Sequence, residues 1–203
     1  MPTAFQKELV TLAHRPADLC ALVAAAFEEA TRSALESDHT LGGRVRENAA
    51  AVAAPGAACE DQACALPALH APREEEVKAV VAAVHAAADL TRMGGLAREV
   101  AEPRGPVPSA ARPAFARPGA HAVAAARALG RLLAGEDATG LADEVARTGA
   151  AEQELREWAG GREWPGGAGA TVDVVLLAAA HGRFAATSAR IARRTAGFAP
   201  AGA

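Results

Sequence analysis

The chain has 203 residues, enough for one sizeable domain or two small ones. Half of it (51%) is hydrophobic, which excludes global disorder, and a net charge of −3 excludes a whole-molecule basic field for holding nucleic acid. Much of that hydrophobic share is alanine, aromatics are only 3% and tyrosine is absent, so closely approaching helices suit the composition better than a sheet.

From about Pro2 to Glu36, Phe5, Leu12, Leu19 and Ala26 recur seven apart, with Leu9, Val23 and Ala30 beside them. This spacing predicts a helix with one apolar seam, kinked or split at Pro16. A second helical stretch, Asp38 to Leu69, is expected in two or three pieces because Pro55-Gly56 and Pro67 interrupt it. A third helix opens after Pro72, with Glu74, Glu75 and Glu76 at the positive end of its dipole and an apolar face of Val77, Val80, Val81 and Val84. It continues through Met93, Leu96 and Val100 until Pro103.

Five prolines between Pro103 and Gly119 mark a linker between halves. Helices are then expected over about Ala120 to Leu133, Gly140 to Glu157 and Thr171 to Phe198, the last with Leu177, Phe184, Ile191 and Phe198 seven apart. No alternation of period two marks a strand. Sliding the third helix onto the sixth aligns Arg92-Met93-Gly94 with Arg183-Phe184-Ala185, Gly95 with Ala186, Ala97 with Ser188, and Val100-Ala101 with Ile191-Ala192. A duplicated three-helix unit follows, over 1–102 and 120–203 and joined by 103–119.

The segment Ala68-Leu-His-Ala-Pro-Arg-Glu-Glu-Glu-Val-Lys, leading into Ala88-Asp-Leu-Thr-Arg-Met-Gly-Gly-Leu-Ala-Arg, resembles the PhoU family of phosphate-signalling regulators, which typically read DLERMGDLA there. Thr3-Ala-Phe-Gln-Lys-Glu-Leu and Ala34-Leu-Glu-Ser-Asp38 resemble the family's first helix and turn. Arg162-Glu-Trp, Val172-Asp-Val-Val-Leu-Leu, Arg183-Phe-Ala and Ile191-Ala-Arg-Arg resemble its ending. The resemblance spans nearly the whole chain in order. It implies an all-α fold of two three-helix bundles related by a pseudo-twofold. It also implies a cytoplasmic negative regulator of phosphate uptake and the phosphate-starvation response, acting between the ATPase subunit of a phosphate ABC transporter and a sensor histidine kinase, with a homodimer as one possible state.

Family members carry an acid-x-x-x-acid motif on the third helix of each bundle, because residues i and i+4 share a face and two carboxylates can converge on iron, manganese or zinc. Here the motifs read Thr91-Arg-Met-Gly-Gly95 and Gly182-Arg-Phe-Ala-Ala186, and Ala49 and Gly149 replace acids on the second helices. With those ligands gone together, no metal and no cofactor are expected at the family sites. Asp38, Glu76, Asp89 and Asp173 remain at family-like positions, either as a polar groove for a partner or as caps and ion pairs.

Other constellations carry little. Cys59-x4-Cys64-x5-His70 with His85 matches no common zinc spacing and reads as small thiols on an alanine-rich helix. Ser33, Ser37, Asp38 and His39 lack a nucleophile elbow, and no catalytic residue is assigned. Gly42-Gly43 and Gly94-Gly95 fit no phosphate-cradling loop. Trp158 and Trp164 read as core before interface, and Arg190–Arg194 as a solvated helix end. An N-terminus without a charged-then-apolar pattern, and no uncharged apolar run of bilayer length, point to a reducing cytoplasmic setting with Cys20, Cys59 and Cys64 free. Two alternatives of other classes stay open: a helical-bundle metalloprotein with a relocated site, although Glu-x-x-His occurs once (Glu36–His39) where such centres take one from each of two helices, and a structural helical protein with no phosphate role.

Overall fold

The computed structural model describes residues 4–69, 74–102, 104–161 and 163–195. Six helices carry the fold: α1 (Ala4–Glu36), α2 (His39–Leu69), α3 (Glu74–Val100), α4 (Arg112–Leu133), α5 (Leu141–Ala159) and α6 (Ala168–Thr195). A single 3-10 turn, Ser109–Ala111, leads into α4. No strand occurs among the described residues. α1, α2 and α3 pack on one another, and so do α4, α5 and α6. The two triplets meet through α1 on α4 and α3 on α6. Each bridging pair joins a helix to its own counterpart, the pattern that an approximate twofold produces.

Burial follows the internal repeat. Met93 and Phe184, Gly94 and Ala185, Ala97 and Ser188, and Val100 and Ile191 are all buried, whereas Gly95 and Ala186 are both exposed. The expected seams are also inside: Leu12, Leu19, Val23, Ala26 and Ala30 on α1, and Leu177, Phe184 and Ile191 on α6. Phe198 lies outside the described residues.

Three boundaries differ from the sequence reading. α1 runs unbroken through Pro16, and α2 runs unbroken through Pro55, Gly56 and Pro67 instead of in pieces. Pro55 is exposed, so the hydrogen bond that it forfeits lies toward solvent, where water can replace it. Gly56 faces α3 so closely that a Cβ there would stand 2.3 Å from Thr91 Oγ1; the glycine is a contact point between helices and not a breaker. α4 begins at Arg112, eight residues before Ala120, which leaves a shorter connection than the expected 103–119. Pro113 falls in its first turn, where a missing N–H costs nothing, while Phe115 and the ring of Pro118 are buried. The buried face of α3 agrees only in part: Val80 and Val84 pack against the core as expected, but the fully buried seam lies elsewhere. It is Ala82, Ala83, Ala86, Ala87, Leu90, Met93 and Ala97, while Val77 and Val81 are exposed. Methyl-sized side chains occupy the seam because they let neighbouring helices approach closely.

One hydrophobic core runs through both triplets. At its centre Phe27 of α1 stacks on Phe184 of α6 with ring centroids 3.8 Å apart. His181 of α6 meets Phe27 edge-on at 5.4 Å and Phe115 of α4 at 5.1 Å. Aromatic pairs of this kind add about 0.5–1.5 kcal/mol beyond the area they bury. Gly119 permits the approach of α4, since a Cβ there would lie 2.7 Å from Thr31 Cγ2. Gly119→Ala is therefore expected to lower stability by about 1–3 kcal/mol in urea denaturation followed by circular dichroism, with helical content unchanged below the transition.

Candidate functional site

The helices that carry the two repeat motifs, α3 and α6, run antiparallel. Asp89 pairs with Arg190 and Arg194, while Glu99, farther along α3, pairs with Arg183, earlier on α6. Of the motif positions, Thr91 faces Gly56 of α2 and Gly182 faces Glu152 of α5, while Gly95 and Ala186 are exposed.

The side chains on those faces are not those of a carboxylate clamp. Thr91 Oγ1 donates to the Ala87 carbonyl at 2.9 Å, closing a bond within its own helix. Gly95 is exposed, with nothing within 4 Å of where its Cβ would be. Ala186 is exposed. Gly182 has a different environment: the carboxylate of Glu152, from α5, occupies the space that a side chain there would need, and it is ion-paired with Arg156. Glu152 escaped the sequence reading because its proximity to Gly182 is set by how α5 packs on α6. On the second helices, Ala49 is half-buried and Gly149 has open space around it. Iron, manganese and zinc need several oxygen or nitrogen donors aimed at one point. One self-bonded hydroxyl and one Arg-paired carboxylate do not supply them.

Three of the four retained acids take helix-terminal or ion-paired places. Asp38 caps α2, its Oδ1 accepting from the Thr40 and Leu41 amides at 3.0 and 2.9 Å. Glu76 lies in the first turn of α3. Asp173 faces Arg104 at 3.8 Å. Among the described residues, no three of His, Cys, Asp and Glu come together as a metal site would require. Cys59 is buried and Cys64 exposed, so one of the thiols expected inside is at the surface; His85 is exposed, and His70 lies outside the described residues.

Asp89 is the exception, and it is the electrostatic centre of the seam. Its side chain is only 2% exposed, yet it is contacted by three guanidinium groups. Oδ1 accepts from Arg92 Nη1 at 2.7 Å and Arg190 Nη2 at 3.1 Å; Oδ2 accepts from Arg190 Nε and Arg194 Nη1, each at 3.3 Å. Four donors saturate the carboxylate's four lone-pair sites. Arg190 and Arg194 thus tie the triplets together while remaining partly exposed near the end of α6, as the sequence suggests.

Two other features are structural. His181 is wholly buried, and burial pushes its pKa down to about 3. Thr31 Oγ1 donates to the Phe27 carbonyl at 2.9 Å and lies 3.3 Å from His181 Nε2, so it accepts from Nε2–H and leaves Nδ1 as a bare acceptor with no partner. Cys20 Sγ donates to the Ala126 carbonyl across α1 and α4 at 3.2 Å, and burial raises its thiol to about 12, which makes it unreactive. Trp158 and Trp164 pack edge to face, centroids 5.3 Å apart, against the core.

Comparison with known proteins agrees with this architecture. The family model described as the PhoU domain matches residues 17–103. The phosphate-specific transport system accessory protein PhoU homolog 2 of Mycobacterium tuberculosis is 32% identical, over 96% of this chain and 95% of its own. PhoU homolog 1 of Mycobacterium leprae is 31% identical, over 96% and 91%. The crystal structure of the phosphate transport system regulatory protein PhoU from Streptococcus pneumoniae superposes with a TM-score of 0.80 at 17% identity, covering 98% of each chain. That of PhoU from Pseudomonas aeruginosa gives 0.75 at 16%, covering 94% of this chain and 96% of its own.

Two measurements test the interior chemistry. Below its ordinary value of 6.5, His181 would take up a proton in the unfolded chain that the folded protein refuses, so its contribution to stability falls as pH drops from about 6.5 toward 3. Between pH 7.5 and pH 5 the wild type is expected to lose about 2 kcal/mol that His181→Leu does not lose, narrowing the gap between the two in urea denaturation. Asp89→Asn is expected to cost about 1–3 kcal/mol by the same method, moderated because the arginines it frees can hydrate.

Proposed function

Because this chain belongs to the PhoU family, we propose that it is an accessory regulator of phosphate transport that restrains uptake and the phosphate-starvation response through protein contacts, without a metal cluster and without catalysis. The partners are the ATPase subunit of a phosphate ABC transporter and a sensor histidine kinase, in the cytoplasm, with the protein acting as a homodimer. The two family units of this reading are α1 to α3 and α4 to α6, the second beginning at Arg112 and not at 120.

The single observation that carries it is the coincidence of two facts. Similarity to phosphate transport accessory proteins extends over 96% of the chain, yet the motif faces hold Thr91, Gly95, Gly182 and Ala186 where the family pattern has acids. What persists is the frame, and what has gone is the donor set. A regulator of this kind needs only to bind one conformation of its partner better than another, because a differential affinity shifts the partner's equilibrium. That no helix among the described residues is long and apolar enough to cross a membrane fits a protein that approaches a transporter from outside the bilayer.

Affinity-tagged protein recovered from phosphate-replete and phosphate-starved cells is expected to bring down the transporter ATPase subunit, in amounts that change with phosphate. Unrelated partners, recovered equally in both conditions, would assign a structural role instead. Elemental analysis of protein purified without chelator is expected to give well under one equivalent of iron, manganese or zinc; a stoichiometric value would restore the metalloprotein reading.

A further inference from the structure

The geometry points to Arg92, Arg190 and Arg194 as a binding site for a dianionic tetrahedral oxyanion, orthophosphate or a phosphate monoester, held in place by Asp89 beneath them.

Charge comes first. Three guanidinium groups contact one carboxylate, so the cluster keeps two positive charges uncompensated. Among the described residues, no second acidic side chain pairs with any of the three. On α3 itself, Glu99 is paired with Arg183, and Glu74 and Glu75 lie about 20 Å from Asp89 at 1.5 Å per residue. A phosphate carries about −1.5 to −2 near pH 7, which matches that surplus, whereas one carboxylate would cancel only half of it.

Geometry is the second argument. Asp89 is buried, but the arginine side chains that reach down to it are 72%, 42% and 53% exposed. Each guanidinium has five N–H donors, and the carboxylate can accept only four between all three groups. Most donors are therefore left for solvent or a ligand. Arg92 and Arg190 share Oδ1, and Arg190 and Arg194 share Oδ2, so neighbouring guanidiniums are held at a spacing that one tetrahedral anion can bridge. Fixing arginine side chains in advance removes part of the entropy that they would lose on binding. The site spans α3 and α6, so an anion seated there would tighten the contact between the two triplets.

The test is titration of the full-length protein with sodium phosphate, and separately with phenyl phosphate, at constant ionic strength, read by arginine Nε–H NMR and by calorimetry. Saturable one-site shifts are expected for Arg92, Arg190 and Arg194. Arg92→Gln, which leaves Asp89 paired with two arginines, is expected to weaken binding about tenfold, as the loss of one charged anchor should. Arg98→Gln, on the same helix, is expected to leave it unchanged. Tighter binding of phosphate would identify the free anion as the ligand; tighter binding of phenyl phosphate would identify a phosphoryl group carried on a larger molecule. Shifts that rise linearly and match those from sodium chloride would overturn the site. So would equal affinity in an Arg92→Gln protein that melts at the wild-type temperature.

Discussion

The structure depends on how closely its helices can approach. Alanine and glycine line most of the seams, and a core built from methyl groups gives each contact little area, so stability must come from many contacts at short range. The few large side chains are concentrated at the junction of the triplets, where Phe27 and Phe184 stack and His181 and Phe115 close around them. Gly119 and Gly56 mark the places where one extra carbon would force backbones apart. The two triplets therefore share one core, and neither can be loosened without disturbing the other.

Electrostatics reinforces the same junction. Asp89 draws Arg190 and Arg194 across from α6 and Arg92 from its own helix, and Glu99 with Arg183 repeats the tie three turns away. Exposed pairs of this kind contribute about 1 kcal/mol or less, but a buried carboxylate without its partners would cost several times that. Asp89 thus specifies the register of α3 on α6 more than it adds stability. His181 acts in the opposite sense, as a polar group that burial keeps neutral and that hydrogen-bonds to Thr31 alone.

The functional reading rests on a division between frame and faces. The frame aligns with its relatives almost end to end, and its burial pattern repeats between α3 and α6. The faces that hold carboxylates in the family pattern are bare at Gly95 and Ala186, self-bonded at Thr91 and filled by Glu152 at Gly182.

By itself the sequence determined six amphipathic segments, their order, the absence of strand periodicity and the echo between the third and sixth helices, because periodicity and composition are local properties. The missing motif acids were also legible, since side-chain identity needs no coordinates. Only the tertiary structure decided that α2 continues through Pro55 and Pro67, that α4 begins at Arg112, and that Val77 and Val81 face outward while alanines face in. Proline's cost is offset, and a helix face is chosen, by what packs against it from far along the chain. The same reason hid the Asp89 cluster: its members are about a hundred positions apart, and only the antiparallel crossing of α3 and α6 brings them to one point.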